Sequence, residues 1–232
     1  MDRDTGSIGG LKHPPPVTRK LFTLSIIFDS VGVLLCALIN WQMVLIMLVY
    51  IGVSKAYSWH AIRLKKLAFT GWLVVMLFQG GYTFLIVNMA AENNFTSHWF
   101  DEKHIVCMIL ASLLIGGFYP LTQIYQHEED SSRGDFTISY RLGIIGTFIF
   151  SALMFFVACA TAWFYFNKFY EMMHFIIFII CLIPVTGYFL YWLRKTVRNR
   201  EAANFDNTMR MTFISSSCMI ACWCILFFMN HK

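Results

Sequence analysis

The chain has 232 residues, of which 58% are hydrophobic, 17% aromatic and only 13% charged, and its mean hydropathy is +0.60. A soluble domain carries about 25% charged residues, so an ordinary soluble enzyme, a disordered chain and a collagen-like chain are all excluded. The net charge of +5 is modest and gives no nucleic-acid signal.

The N-terminal segment opens with charges, glycines and Pro14-Pro15-Pro16, unlike a cleavable signal peptide. The prolines predict an extended approach to the first helix. A hydrocarbon core needs about 20 apolar residues per helix. Seven stretches qualify, at 21–39, 41–57, 70–90, 104–124, 142–166, 172–193 and 211–229. They predict an all-α, polytopic transmembrane helical bundle, with residues 1–232 as a single transmembrane domain. Only Asn40 and its neighbours separate the first two spans, which predicts a tight helical hairpin. Asp29 lies within the first span. A carboxylate at membrane depth turns toward the bundle interior, where it lines a substrate cavity or pairs with another helix. In the third span, Gln79-Gly80-Gly81 combines a polar interior group with residues that permit close helix approach. Asn94-Phe95-Thr96 matches a glycosylation sequon and follows that span. His174 and Pro184 in the sixth span are read as a satisfied interior group and a kink. The 7 cysteines lie inside apolar stretches and show no CxxC or zinc spacing.

Alternating spans put the N-terminus and loops 55–69, 125–141 and 194–210 on one side. That side holds 15 of the 18 Lys and Arg residues, leaving Lys103, Lys168 and Lys232 on the other. This asymmetry marks the loaded side as cytoplasmic. The same side holds Asp2, Asp4, Glu128, Glu129, Asp130, Asp135, Glu201 and Asp206. Carboxylates and cations at one membrane surface suit a divalent cation holding a phosphorylated ligand, because Mg²⁺ takes a few carboxylates, waters and phosphate oxygens. Ordinary solvated loop charge is the alternative reading.

Three segments add specificity. They are Asp2-Arg3-Asp4 with Gly6, Gly9-Gly10 and Lys12; Tyr57-Ser58 with Arg63-Leu64-Lys65; and Glu128-Glu129-Asp130 with Arg133-Gly134-Asp135-Phe136-Thr137 and Arg141-Leu142-Gly143. In this order and spacing the chain resembles the UbiA superfamily of intramembrane prenyltransferases. The resemblance implies an enzyme that moves an isoprenoid chain from a prenyl diphosphate to an aromatic or other lipophilic acceptor, as in quinone biosynthesis, within the inner (plasma) membrane. It implies Asp2 and Asp130 as catalytic carboxylates, and Asp2, Asp4, Asp130 and Glu129 as ligands of Mg²⁺. Lys12, Tyr57, Ser58, Arg63 and Lys65 would bind diphosphate, with Asp29 and Gln79 in the acceptor pocket. The chain departs from the family pattern at Gly6 and Gln126, where aspartates are expected. The resemblance also implies nine helices, so this chain is expected to lack the first two. The competing reading is a non-catalytic degenerate relative or a small multi-pass transporter.

Overall fold

The computed structural model describes residues 6–7, 10–59, 61–92 and 100–230. The sequon at 94–96 lies outside the described residues. In lipid the backbone must satisfy its own polar groups, and helices do this within one segment. The apolar runs accordingly form α1 (Arg19–Ile39), α2 (Trp41–Ser58), α5 (Glu102–Thr122), α7 (Ile138–Phe169), α8 (Met172–Arg198) and α9 (Phe205–Asn230). The remaining long span joins α3 (Ala68–Val75) and α4 (Thr83–Glu92) through a π-helical stretch, Met76–Tyr82. A short helix, α6 (His127–Ser132), follows α5. Seven helical spans among the described residues are long and apolar enough to cross a membrane, and the chain is an all-α polytopic bundle.

Local chemistry sets the joints. Asn40 ends α1 with its N–H on the Cys36 carbonyl, and its side chain accepts the Met43 N–H to start α2. The hairpin attaches to the third span where Tyr82 donates to the Ile46 carbonyl, 2.9 Å away, beside a small core of Cys36, Met43, Ile86 and Met89. At the opposite end of the chain, Trp192 and Asn207 both donate to the Ala202 carbonyl and close the α8–α9 turn. His174 meets Asn230 Oδ1 at 3.1 Å and ties the far ends of the same two helices. The expected interior role of His174 thus has a named partner.

The centre of the bundle is the crossing of α5 with the third span and α7. Trp72 donates its indole N–H to the Gly116 carbonyl at 2.8 Å. The Gly81 N–H donates to Ser112 Oγ at 3.0 Å, inside the π-helical stretch. A methyl group on Gly80 would stand 2.5 Å from Ser112 Cα and 2.7 Å from its backbone nitrogen. Backbone cannot swing aside as a flexible side chain can, so Gly80→Ala is expected to cost about 1–3 kcal/mol by overpacking. Gly52, where an added methyl would meet nothing within 4 Å, serves as the control. Thermal unfolding in detergent should show a lower midpoint for Gly80→Ala and no such drop for Gly52→Ala.

Candidate active site

Three chain segments converge at one end of the bundle. The first is the last turn of α2 and the loop beyond it. Arg63 there adopts the left-handed conformation (φ 46°), and a turn at Leu64–Lys66 leads into α3. The second runs from the end of α5 through α6 to Thr137, whose hydroxyl caps α7 by accepting the Tyr140 N–H. These two lie side by side through parallel bridges, Leu67 with Phe136 and Ala68 with Thr137. The third is the N-terminal segment, where the Gly6 N–H donates to Glu129 Oε1 at 2.9 Å.

Together they enclose a cavity of about 570 Å³. Lys65, Glu129, Asp130 and Asp135 bring charge to its wall, Tyr57, Ser58, Tyr119 and Thr137 bring hydroxyls, and Gln123 and Gln126 bring amides. Val75, Ile115 and Phe118 make an apolar portion, with Gln79 beside them. The Tyr57 and Tyr119 hydroxyls are hydrogen-bonded to each other. Gln123 is buried, and its Oε1 has no hydrogen-bond partner among the described residues.

Asp135 is the electrostatic centre of the wall. It is 1% exposed, and its Oδ2 accepts from Arg63 Nη2 at 2.8 Å and lies 3.7 Å from Lys65 Nζ. Its backbone N–H donates to the Asp130 carbonyl at 2.8 Å. One carboxylate therefore fixes the basic loop against the acidic helix. The geometry orients Lys65, which lines the cavity, whereas Arg63 does not line it.

The predicted site residues divide clearly. Tyr57, Ser58, Lys65, Gln79, Glu129 and Asp130 all line the cavity. Asp2 and Asp4 lie outside the described residues. Lys12 does not line the cavity but reaches both carboxylate oxygens of Asp206, at 3.1 and 3.2 Å, on the surface; here a nearby exposed acid claims the cation. Asp29 lines no wall of this cavity either. It accepts from Lys55 Nζ at 2.6 Å across the α1–α2 hairpin, so the second of its two expected roles is the one observed. An unpaired carboxylate at that depth is costly, and Lys55 answers it from the adjacent helix. Arg63 is turned to Asp135 and supports the wall from behind.

Tyr119, Gln123 and Asp135 line the cavity without having been singled out as site residues. The spacing of Tyr119, Gln123, Gln126 and Asp130, by four, three and four, is a helical-face signal that points to the first two. Gln126 has a specific role. Its Nε2 donates to the Ser7 carbonyl at 3.2 Å, a bond that an acceptor-only carboxylate cannot make. The departure from the expected aspartate thus holds the N-terminal segment over α6. Gly6 matters for the same contact, because a methyl there would sit 2.1 Å from Glu129 Oε2.

No set of three His, Cys, Asp or Glu side chains among the described residues is gathered tightly enough to hold a metal by itself. Glu129 and Asp130 nevertheless stand in the same wall, and the lining contains no His or Cys. Oxygen donors without thiolate or imidazole select hard cations, and Mg²⁺ needs only one or two carboxylates when phosphates and waters complete its shell. The donor set fits such an ion. Glu129 also accepts from the Gly6 N–H and from Arg133, 2.5 Å from its Oε1. Glu128 is exposed and is not part of the wall.

Fold and site together define a multi-pass membrane protein with a charged, oxygen-rich cavity opening at one end of an apolar bundle. The model of the UbiA prenyltransferase family matches residues 17–230, which is most of the chain, and the chain belongs to that family of membrane prenyltransferases. No curated protein and no solved structure matches it significantly.

Proposed function

We propose that this protein transfers an isoprenoid chain from a prenyl diphosphate to an aromatic or other lipophilic acceptor of the quinone-precursor type, with Mg²⁺, at the cytoplasmic face of the inner (plasma) membrane. The observation that carries the reading is the convergence of Lys65, Tyr57, Ser58, Glu129 and Asp130 on one cavity above an apolar bundle. The 15-to-3 division of basic residues supports the cytoplasmic orientation.

Lys65 holds the diphosphate as a point charge, and the hydroxyls of Tyr57 and Ser58 donate to its oxygens. Asp135, held by Arg63, keeps Lys65 at the wall. Asp130, with Glu129 and with Asp2 and Asp4 of the N-terminal segment, would hold Mg²⁺. When bound, the ion would neutralise charge on the leaving diphosphate. The donor carbon–oxygen bond breaks, giving an allylic cation and free diphosphate. The rings of Phe118 and Tyr119 shield that cation from water, and cation–π attraction of about 0.5–2 kcal/mol favours it. A carbon of the acceptor, oriented by Gln79, forms the new carbon–carbon bond and loses its proton to the released diphosphate.

The test is an assay of membranes carrying the protein with a radiolabelled prenyl diphosphate and a panel of phenolic and naphtholic acceptors. Labelled lipophilic product should form with Mg²⁺ and disappear with chelator. Absence of product across the panel, with donor hydrolysis also absent, would refute the reading.

A further inference from the structure

The segment α7 is broken near its start. Gly143 has φ 67° and ψ 171°, a combination essentially confined to glycine. A methyl group there would meet nothing within 4 Å, so conformation rather than space demands the glycine. In an unbroken helix Ser139 and Thr147 would stand about 12 Å apart along the axis, at 1.5 Å per residue. The break folds the first turn back and brings Ser139 Oγ to 3.0 Å from Thr147 Oγ1. Both residues are completely buried. Ser139 Oγ also lies 2.7 Å from Nε2 of His127, the first residue of α6.

The hydrogens give this chain a direction. Carbonyl oxygens only accept, and Thr147 Oγ1 is 2.8 Å from the Gly143 carbonyl and 3.2 Å from that of Ser139. The single Thr147 hydrogen therefore goes to a carbonyl, and Thr147 Oγ1 accepts from Ser139. With its own hydrogen so used, Ser139 Oγ accepts from His127, whose ring must carry a hydrogen on Nε2. The Tyr140 ring meets the imidazole edge to face at 5.8 Å and holds it from the side.

We infer that His127 is a positioning residue: through Ser139 and Thr147 it fixes the acidic helix α6 to the break in α7, and so sets where the Glu129 and Asp130 carboxylates stand in the cavity. The inference rests on the transferase reading. His127 does not line the cavity, so it acts through the helix it begins. No residue of α6 is buried, so apolar packing does little to hold this helix and hydrogen bonds must. Its far end is held where the Asp135 N–H donates to the Asp130 carbonyl. The bond from Gly6 to Glu129 ties it to the N-terminal segment rather than to the bundle. Anchors at both ends fix a six-residue helix against rotation about its axis, whereas one anchor leaves it free to turn. The His127 chain is the anchor that reaches the membrane-spanning part of α7.

The experiment compares the unsubstituted full chain with His127→Leu, His127→Gln, Ser139→Ala and Thr147→Val. Thr161→Val is the control, because Thr161 makes the same kind of hydroxyl-to-carbonyl bond further along α7, to Val157. Rates are measured against Mg²⁺ concentration with one donor and one acceptor. Nitrogen NMR of histidine-labelled protein in detergent reads the ring without turnover, and the signal missing from His127→Leu assigns it. His127 should show a protonated Nε2, and Ser139→Ala should shift that signal. The half-saturating Mg²⁺ concentration should rise about tenfold in His127→Leu, Ser139→Ala and Thr147→Val, as for partners behind the ligands of an ion, and stay within about twofold in His127→Gln, which keeps a donor, and in Thr161→Val. Thr147→Val retains side-chain shape and keeps the test decisive where His127→Leu or Ser139→Ala disturbs folding. Unchanged Mg²⁺ dependence with only a lower unfolding midpoint overturns the inference, as does a His127 ring protonated on Nδ1 alone. No product from the unsubstituted chain with any donor refutes the transferase reading itself, whatever the ring signal shows.

Discussion

Replacing Asp130 with asparagine is expected to slow prenyl transfer by about a hundredfold or more, because loss of a metal-holding carboxylate removes several kcal/mol of transition-state stabilisation at 1.36 kcal/mol per decade. The substitution keeps the shape of the side chain. It also leaves intact the backbone bonds from Asp135 and Arg133 to the Asp130 carbonyl, so the α6 turn and the bundle should survive. The loss should be partly recovered at high Mg²⁺, since a weakened site still fills by mass action. Glu129→Gln should behave differently. Glu129 accepts from Gly6 and Arg133, so its loss should loosen the N-terminal segment as well as the ion. Initial rates against Mg²⁺ concentration separate the two. An Asp130→Asn variant with an unchanged rate and unchanged Mg²⁺ dependence would remove that residue from the mechanism.

Asp135→Asn should produce the largest loss of stability of any single change at the site. The carboxylate is buried, with Arg63 and Lys65 as its partners. Removing one side of a buried ion pair costs about 3–5 kcal/mol, much of it the penalty of the charge left behind. The Arg63 side chain is 20% exposed, so water screens part of that penalty, and about 2–3 kcal/mol is expected. The same change frees Lys65, so the Michaelis constant for the donor should rise more than the turnover falls. Thermal unfolding in detergent and donor titrations measure the two effects. Combining Asp135→Asn with Arg63→Gln should cost less than the sum of the single changes, as expected for contacting residues. Strict additivity would show that the pair is not the clamp described.

The spans were legible because hydropathy over about 20 residues is set by the bilayer itself. Their edges were less so. The segment α7 opens at Ile138 with a short turn that Thr137 caps, but it is broken by a kink at Gly143, whose φ 67° and ψ 171° are not helical, so the long helix itself starts close to the predicted 142, with Thr147 hydrogen-bonding the Gly143 carbonyl at 2.8 Å. By contrast, α8 runs on to Arg198, past the last apolar residue of the predicted span, until Asn199 ends it. Hydropathy reports lipid depth, whereas helices stop at caps. The π-helical stretch at Met76–Tyr82 had no local sign beyond Gln79-Gly80-Gly81.

At the site, residue type and order identified which loops meet, and Tyr57, Ser58, Lys65, Glu129 and Asp130 gather accordingly. Which charges pair was not legible. Arg63 with Asp135, Lys12 with Asp206, and Asp29 with Lys55 are separated by 72, 194 and 26 positions, and only the folded bundle decides among the many possible partners. Gln126 read as a lost aspartate in sequence. Its bond to the Ser7 carbonyl gives the amide a purpose that only three-dimensional proximity could supply.

Everything proposed for the charged cavity depends on its binding a prenyl diphosphate through Mg²⁺. Titration of the purified protein with a non-hydrolysable prenyl thiolodiphosphate, with Mg²⁺ or with chelator, measures that binding without requiring turnover. Saturable binding is expected with Mg²⁺, competed by inorganic diphosphate, abolished by chelator and strongly weakened in Asp130→Asn. Binding of equal strength with chelator, or in Asp130→Asn, would show that the cavity does not hold diphosphate through an ion at that carboxylate.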